Sequence, residues 1–454
     1  MFTKLLIANR GEIACRVARA ARAMGIKTVA VYSDADAKAL HVEACDEAVR
    51  LGPAPARESY LDSAKVLAAA RESGAQAIHP GYGFLSEQAD FAQACADAGV
   101  VFVGPPPSAM RALKDKSQAR AVMRAAGVPV VPGSEGHVAE EGAAKAAAAV
   151  VGYPLLVKAA AGGGGIGMQV AKDEAELIKA LRACADRARA SFGKDAVYLE
   201  RYFPLPRHVE VQLLGDGKVT LALGARECSI QRRHQKVVEE APATAFELPQ
   251  ARPGLRDKLL QAGLLAAKAV GYANAGTAEF LLVGDEFFFI ELNARLQVEH
   301  PVTEATTGLD LVQLQLRVAA GESLPIGQAD IGVRGVAIEC RVNAEDPVRF
   351  FPSPGTLTRF DTPVPADGAF HDRVRIDAGV RAGDTITPHY DSLLAKLVVH
   401  GDDRAHAIAL LRGALERFHV EGVKTNLPLH QRIAASDAFA RGELDTHFLE
   451  RLKP

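Results

Sequence analysis

The sequence has no long apolar segment, so no membrane span is expected. No stretch approaches the run of about 18 apolar residues that a membrane-spanning helix needs. The short apolar run at 5–8 is interrupted at once by Arg10 and Glu12, so a secretory signal peptide is not expected either. We therefore expect a cytoplasmic protein with no membrane partner.

Cysteine pairs and an excess of charge of either sign are also missing. The six cysteines are scattered without a CxxC pair, which is too sparse for a disulfide framework and has no zinc spacing. The 53 lysines and arginines nearly balance the 55 aspartates and glutamates, which gives a formal net charge of −2. Such a chain has no global field for nucleic acid, so we expect no nucleic-acid partner and only local sites for anions.

Tryptophan is absent and methionine occurs only five times, whereas glycine occurs 40 times among the 454 residues. The hydrophobic share of 48% and the charged share of 24% are ordinary for a globular protein, which excludes disorder and coiled coil as the main state. At roughly 150 residues per domain, the length predicts about three domains. In the first third, short apolar runs alternate with helical patterns, which is typical of a doubly wound α/β fold.

A glycine-rich loop at 161–167 lies between two short predicted strands. Consecutive glycines let backbone N–H groups converge on one point, which makes an anion-binding nest. Lys158, at the end of the preceding strand, could reach the same phosphate. The alternative is a flexible hairpin loop, but four consecutive glycines would then weaken packing with no interaction to compensate for it. The loop is neither a Walker A motif nor a dinucleotide fingerprint.

A predicted hairpin over 279–293 brings two glutamates together. With a three-residue turn at 284–286, Glu279 falls opposite Glu291, and both side chains point to the same face. Opposed carboxylates repel each other unless a cation lies between them. Asn293 shares this face, so the three side chains form a hard oxygen site suited to Mg²⁺ or Mn²⁺. A two-residue turn is the alternative, and it would put the glutamates on opposite faces.

Two further groups of polar residues are candidates for anion binding. If the extended conformation continues beyond the hairpin, Arg295 and Gln297 share the glutamate face, where a guanidinium could bind a small oxyanion. A basic cluster upstream, at 227–236, contains Arg232, Arg233, His234 and Lys236. This cluster is a solvated segment, a short nucleic-acid patch without aromatic residues, or a clamp for phosphate and bicarbonate. Only the other motifs favour the clamp.

Seven strings in this sequence together resemble the biotin carboxylases, a family of ATP-grasp ligases. In chain order they are KLLIANRGEIACR, IHPGYGFLSE, YPLLVKAAAGGGGIGM, QRRHQKVVEEAP, ELNARLQVEHPVTE, ECRVNAED and PHYDSLLAKL. The resemblance covers essentially the whole chain. It implies an N-terminal doubly wound αβα domain (1–113), an ATP-grasp domain (114–320) with a mobile glycine-rich lid at about 131–203, and a C-terminal α+β domain (332–447).

The resemblance also implies a reaction and its site residues. ATP phosphorylates bicarbonate to carboxyphosphate, which releases CO₂ for capture by the ureido nitrogen of biotin. The implied ATP-binding residues are Lys116, Lys158, Gly164, Gly165, Met168, Glu200, Arg201, Tyr202, Phe203, His208, Gln231, His234, Leu281, Glu279 and Glu291. The implied bicarbonate-binding residues are Lys236, Arg295, Gln297 and the backbone of Val298, and Glu299 is the implied base. Tyr82 and Arg341 fall at the biotin site, where Arg341 would stabilise the biotin enolate. Glu279, Glu291 and Asn293 are the implied ligands of about two Mg²⁺ or Mn²⁺ ions.

The absence of a biotin-attachment motif indicates which partner proteins to expect. No methionine is followed by lysine, so the Met-Lys-Met-like tripeptide of biotin acceptor domains is absent. Biotin is therefore expected on a separate biotin carboxyl carrier protein, with separate carboxyltransferase subunits, and the resemblance implies a homodimer. The default acyl acceptor is acetyl-CoA, as in fatty acid biosynthesis, with propionyl-CoA or another acyl-CoA as alternatives.

The sequence also departs from the family pattern at three positions. Ile166 stands where the family loop usually carries Arg or Lys, and Arg201 and Phe203 stand where Lys and Leu are frequent.

The alternative functions are another bicarbonate-using ligase, such as a carbamoyl-phosphate synthetase-like enzyme, and a non-catalytic nucleotide-sensing subunit.

Overall fold

A parallel five-stranded sheet forms the first part of the protein in the computed structural model, which describes residues 1–138, 140–159, 168–192, 196–233 and 235–452. The strand order is β3-β2-β1-β4-β5, and every neighbouring pair is parallel. The elements are β1 (Lys4–Ile7), α1 (Gly11–Ala23), β2 (Lys27–Ser33), α2 (Leu40–Ala44), β3 (Glu47–Gly52), α3 (Ser63–Ser73), β4 (Ala77–His79), α4 (Ala89–Asp97), β5 (Val101–Phe102), α5 (Pro107–Lys114) and α6 (Lys116–Ala125).

Both faces of this sheet are covered, which explains its continuous apolar strands. Leu5 and Ile7 pack on one face with Val17 of α1. Leu6 packs on the other face with Val66 of α3. The doubly wound arrangement predicted from the sequence is confirmed.

A small antiparallel sheet with the order β7-β6-β8 has a hydrophobic core of its own. Its elements are α7 (Glu141–Val151), β6 (Leu155–Ala159), β7 (Met168–Ala171), α8 (Glu174–Phe192) and β8 (Val197–Arg201). Leu155 and Val157 of β6 pack with Leu177 of α8 in this core. The two helices therefore cover the same sheet, and the glycine-rich segment joins β6 to β7.

A nine-stranded antiparallel sheet runs from the middle of the chain into its last third. Its order is β13-β12-β9-β10-β11-β14-β20-β18-β17. The elements up to β14 are β9 (Arg207–Gly215), β10 (Thr220–Arg232), β11 (Gln235–Ala241), α9 (Leu255–Ala269), β12 (Asn274–Val283), β13 (Glu286–Asn293), α10 (His300–Thr307), α11 (Leu311–Ala319) and β14 (Val336–Asn343).

The remaining elements are β15 (Gly355–Thr356), β16 (Arg359–Asp361), β17 (Asp367–His371), β18 (Val374–Ala378), β19 (Thr385–Ile386), β20 (Leu393–Gly401), α12 (Arg404–Glu416), β21 (His419–Glu421), α13 (Leu427–Ala435), α14 (Asp437–Ala440) and α15 (Phe448–Arg451). Of these, β17, β18 and β20 complete the nine-stranded sheet, while β15 pairs with β19 and β16 with β21 in two separate two-stranded sheets. Because β11 pairs with β14, residues about 100 positions apart lie side by side, as Val238 does opposite Cys340.

Among the described residues, no helix combines the length and the apolar character needed to cross a membrane.

Candidate active site

A cavity of about 440 Å³ lies where the first parallel sheet faces the long antiparallel sheet. Tyr82 reaches it from the loop after β4, and Lys236 and Arg341 reach it from β11 and β14. Val298 lines it from the segment between β13 and α10. The cavity therefore collects residues from three distant parts of the chain.

Glu279 and Glu291 are direct partners on β12 and β13, but the hairpin achieves this differently from the prediction. The three-residue turn is wrong, because Val283 pairs with Glu286 across a two-residue turn. A two-residue turn alone would shift the pairing by one residue. Instead, Phe280 pairs with Phe289 while Glu279 pairs with Glu291, so Ile290 is an extra residue in a β-bulge. The bulge restores the opposition of the two carboxylates.

Each of these carboxylates is held by a cation. Glu279 accepts a 2.8 Å hydrogen bond from Lys236, and its other oxygen lies 3.2 Å from Nε2 of His208. Although burial raises the pKa of the Glu279 carboxyl, the charge of Lys236 and the polar contact with His208 bring it well below its ordinary value. Glu291 pairs with Lys116 at 2.8 Å. The opposed charges that the sequence predicted are thus balanced by amino groups on this face.

Oxygen donors fit a divalent cation at this face. Asn293 lies two residues beyond Glu291 on the same strand face, and its side-chain oxygen accepts a hydrogen bond from Arg295. Donor atoms of His208, Glu210 and Glu279 lie within 4.8 Å of one another. Carboxylate and amide oxygens are the donors that Mg²⁺ accepts, usually together with substrate phosphates.

Lys236 is the centre of the most densely charged cluster in the cavity wall. Its ammonium nitrogen lies 2.5 Å from Glu210, 2.6 Å from Glu299 and 3.1 Å from the side-chain oxygen of Gln297, in addition to Glu279, so its three N–H groups are shared among four oxygens. Burial alone would lower the pKa of Lys236, but these carboxylates raise it well above its ordinary value. Lys236 is therefore a fixed positive charge at this point.

Glu299 connects Lys236 to Arg341. One oxygen of its fully buried carboxylate faces Lys236, and the other accepts a 2.9 Å hydrogen bond from Arg341. Burial raises the pKa of Glu299, but Lys236, Arg341 and Arg226 together lower it below its ordinary value. Arg341 is held in turn by Glu239 at 2.6 Å. The carboxylate is thus ionised and fixed in orientation.

The remaining residues expected at the anion site lie around this cluster. Arg295 donates to Asn293 at 3.1 Å and lies 3.4 Å from the carboxylate of Glu87. Gln297 donates to Glu279 at 2.9 Å. The hydroxyl of Tyr82 donates to Glu12, and both residues line the same cavity.

The residues expected to bind nucleotide form a second group. Lys158 and Arg120 both bond Glu200, at 2.5 Å and 2.7 Å. Met168 pairs with Lys158 across β6 and β7, and Leu281 pairs with His208 across β12 and β9.

The rest of that group lies on both the small sheet and the long antiparallel sheet. Arg201 ends β8, Tyr202 follows it, and Phe203 stacks on Phe288 with ring centres 5.2 Å apart. Gln231 donates to Nδ1 of His208 at 2.7 Å. Within the described ranges, no hydrogen bond or ion pair joins Lys158 or Glu200 to the Lys236 cluster. Gly164, Gly165 and His234 lie outside the described residues.

Sequence reasoning missed several charged residues of the site. Glu210 accepts from both Lys236 and the fully buried Arg226, and Glu239 orients Arg341. In the apolar strand β9, polar residues recur at every second position as His208, Glu210 and Gln212. That alternation on a buried strand was the available signal.

Family models match nearly the whole chain in three consecutive parts. The biotin carboxylase N-terminal domain matches residues 1–110, and the biotin carboxylase C-terminal domain matches residues 339–451. Between them, the carbamoyl-phosphate synthase L chain ATP-binding domain matches residues 115–327.

Individual relatives agree with these models. A biotin carboxylase of Pseudomonas aeruginosa is 49% identical over 99% of this chain and 98% of its own length. The mitochondrial methylcrotonoyl-CoA carboxylase subunit alpha of Oryza sativa is 50% identical over 99% of this chain. The chain spans 60% of the length of that plant relative.

Solved structures give the same result for the fold. The biotin carboxylase of Campylobacter jejuni, solved as a complex with a βγ-ATP ligand, superposes with a TM-score of 0.94 at 43% identity and covers 99% of both chains. The biotin carboxylase domain dimer of the Hydrogenobacter thermophilus 2-oxoglutarate carboxylase, in complex with MgADP, ADP and bicarbonate, superposes with a TM-score of 0.92 at 44% identity, and 99% of this chain and 97% of that chain are covered.

Proposed function

The chain belongs to the biotin carboxylase family, and we propose that it catalyses ATP-dependent carboxylation of biotin carried on a separate protein. In this reaction ATP phosphorylates bicarbonate to carboxyphosphate, and the CO₂ released from it is captured by biotin. The observation that carries the proposal is the buried carboxylate of Glu299 between Lys236 and Arg341. This arrangement puts a base between a cation for bicarbonate and a guanidinium for biotin.

The cations around Glu299 suit both the binding and the activation of bicarbonate. With both oxygens bonded to cations, Glu299 holds a proton only weakly. A bicarbonate anion bound to Lys236 and Arg295 would take over part of the interaction that these cations have with the cluster. The pKa of Glu299 would then rise, and the carboxylate could accept the bicarbonate proton. Binding of bicarbonate would thus convert Glu299 into a base that can accept the bicarbonate proton.

The nucleotide and its metal ions would lie beside this base. Lys116, Lys158 and the glycine-rich loop are suited to the phosphates, and the segment Glu200–Phe203 to the adenine. Glu279, Glu291 and Asn293 would hold Mg²⁺ or Mn²⁺, which when bound neutralises the charge that develops on the phosphates. Lys236 and Arg295 would hold the attacking oxyanion in line.

Biotin would enter from the side of the cavity that Tyr82 lines. Arg341 would stabilise the negative charge on the biotin oxygen after the ureido nitrogen loses its proton. Glu239 fixes the Arg341 guanidinium for this task, because it accepts a 2.6 Å hydrogen bond from Nε. The part at 131–203 would act as a lid that keeps water from carboxyphosphate.

The wider setting is part of the same proposal. Biotin would arrive on a carrier protein, and a carboxyltransferase would pass the carboxyl group to an acyl-CoA or 2-oxo acid acceptor, in a cytoplasmic homodimer. The relatives named above include enzymes for methylcrotonoyl-CoA, and the solved structures include the biotin carboxylase subunit of a pyruvate carboxylase.

ATP cleavage by the purified chain tests the proposal. We expect hydrolysis only when bicarbonate is present, and faster hydrolysis when free biotin is added. The matched control omits Mg²⁺ from the same mixture. Equal ATP hydrolysis with and without bicarbonate would contradict the proposed reaction.

A further inference from the structure

Lys396 is a lysine whose side chain is completely closed to solvent. It lies in the middle of β20, opposite Arg341 on β14 and opposite Asp377 on β18. An ammonium group in such a place is costly unless charged or polar partners compensate for its lost hydration. The partners of Lys396 therefore indicate what its charge does.

The first partner leads to the biotin side of the cavity. The Lys396 ammonium lies 3.1 Å from Oε2 of Glu12, in the first turn of α1. The other oxygen of Glu12 accepts a hydrogen bond from the hydroxyl of Tyr82. Among the described residues, Lys396 is the one cation that pairs with Glu12. The Tyr82 hydroxyl is thus held through Glu12 by Lys396.

The second partner leads to the bicarbonate side. Lys396 donates a 3.1 Å hydrogen bond to the backbone oxygen of Val298. That carbonyl belongs to the peptide that links Val298 to Glu299. Fixing this peptide fixes the point from which the Glu299 side chain reaches Lys236 and Arg341.

Charge balance for Asp377 does not explain Lys396. Asp377 lies 3.9 Å from the ammonium, which is too long for a hydrogen bond. It already binds Arg375 at 2.7 Å and Arg19 at 2.5 Å. The short contacts of Lys396 go to Glu12 and Val298, which lie on two different walls of the cavity.

We infer that Lys396 is a positioning residue. It holds the biotin wall of the cavity, which carries Tyr82, in a fixed position relative to the bicarbonate wall, which carries Glu299. This inference rests on the proposed function, since it assigns Tyr82 and Glu299 to the two substrates. Glu12 belongs to the N-terminal part, Val298 to the middle part and Lys396 to the last part of the chain. One buried cation therefore joins all three where the two substrates must meet.

Lys396→Met removes the charge and keeps most of the volume. We expect the KM for free biotin and the KM for bicarbonate each to rise about tenfold, because small displacements of both walls misalign the reactants. The KM for ATP should change by less than about twofold, since within the described part of the chain Lys396 has no hydrogen bond or ion pair with the expected nucleotide residues. Lys4→Met is the matched control, because Lys4 pairs with Glu47 at 2.7 Å on the far end of β1.

Two further variants keep the inference testable if Lys396→Met does not fold. Glu12→Gln removes the negative charge that pairs with Lys396 beside Tyr82 and leaves the hydrogen bond of Lys396 to Val298 in place, so the KM for biotin should rise more than the KM for bicarbonate. Lys396→Arg keeps the charge, so its KM values for biotin and bicarbonate should be closer to those of the wild type than the KM values of Lys396→Met are.

Specific outcomes would overturn the inference. A Lys396→Met protein with a lower melting temperature but unchanged KM values for both substrates would make Lys396 purely structural. Equal KM changes for both substrates in Glu12→Gln would also contradict it. A wild-type chain without bicarbonate-dependent ATP cleavage would overturn the proposed function instead.

Discussion

Lys236 donates a 2.6 Å hydrogen bond to the carboxylate of Glu299, although the two residues are 63 positions apart and Glu299 is fully buried. A buried ion pair contributes little net stability, because desolvation offsets most of its attraction. Its presence beside the cavity that Lys236 and Arg341 line is better explained by chemistry. The proton-accepting role proposed for Glu299 leads to the first prediction.

Glu299→Gln should reduce bicarbonate-dependent ATP cleavage by at least about 100-fold, because an amide cannot accept the bicarbonate proton. Binding of MgATP should survive, since among the described residues Glu299 has no hydrogen bond or ion pair with those expected to hold the nucleotide. Steady-state rates and calorimetric nucleotide titration would measure the two effects. Glu286→Gln, at the exposed turn of the β12–β13 hairpin, is the control, and a near-normal rate for Glu299→Gln would show that another group is the base.

Arg226→Met should lower the free energy of unfolding by about 3–5 kcal/mol, because it leaves Glu210 buried with one cation fewer. Arg226 is fully buried and bonds Glu210 at 2.6 Å. Adding Glu210→Gln should recover part of this loss, so that the double variant loses less than the sum of the single losses. Urea unfolding of the four proteins would measure this. Arg50→Met, at an exposed pair with Asp34, should change little, and strict additivity for Arg226 and Glu210 would contradict the prediction.

Acid should destabilise the protein through its buried histidines. Burial lowers the pKa of His79 from 6.5 to about 4, against the opposing effect of Gln315. Since the unfolded chain binds this proton near pH 6.5 and the folded chain only near pH 4, stability falls as the pH drops through this window. Burial acts in the same direction on His41 and His430, each also with a pKa of about 4.

His79→Asn tests this contribution, because an amide oxygen can accept the hydrogen bond that Gly81 donates to Nδ1. We expect a lower urea midpoint at pH 7.5 and a smaller decrease between pH 6.5 and pH 4.5 than in wild type. His419→Asn, at an exposed position, should keep the wild-type pH profile. An unchanged pH profile in His79→Asn would show that this histidine does not contribute.

Ile166→Arg should alter mainly the KM for ATP and leave kcat intact, because it adds a cation to the loop expected to bind the phosphates and changes no residue expected at the bicarbonate or biotin sites. Initial rates at varied ATP and saturating bicarbonate would measure both constants. Ile166→Leu is the matched control, since it keeps an apolar side chain. A collapse of kcat alone would contradict the role proposed for the glycine-rich loop.

The sequence predicted the elements whose pattern is local. The apolar runs at Leu5–Ile7 and Ala77–His79 became buried parallel strands, because continuous apolar strands need a cover on both faces. The opposition of Glu279 and Glu291 was also predicted, but for the wrong turn. The bulge at Ile290 could not be foreseen, since nothing in the local sequence marks which strand takes the extra residue.

What the sequence by itself determined was the family, the order of the strands and helices along the chain, and the residue types available for binding phosphate, metal and bicarbonate. Only the tertiary structure decided which charges meet. Lys236 on β11 and Glu210 on β9 are 26 residues apart, and their side chains meet over the intervening strand β10. Lys396 reaches Glu12 because the first and last parts of the chain pack together. A buried charge is stable only beside its partner, and sequence spacing does not record that proximity between distant segments.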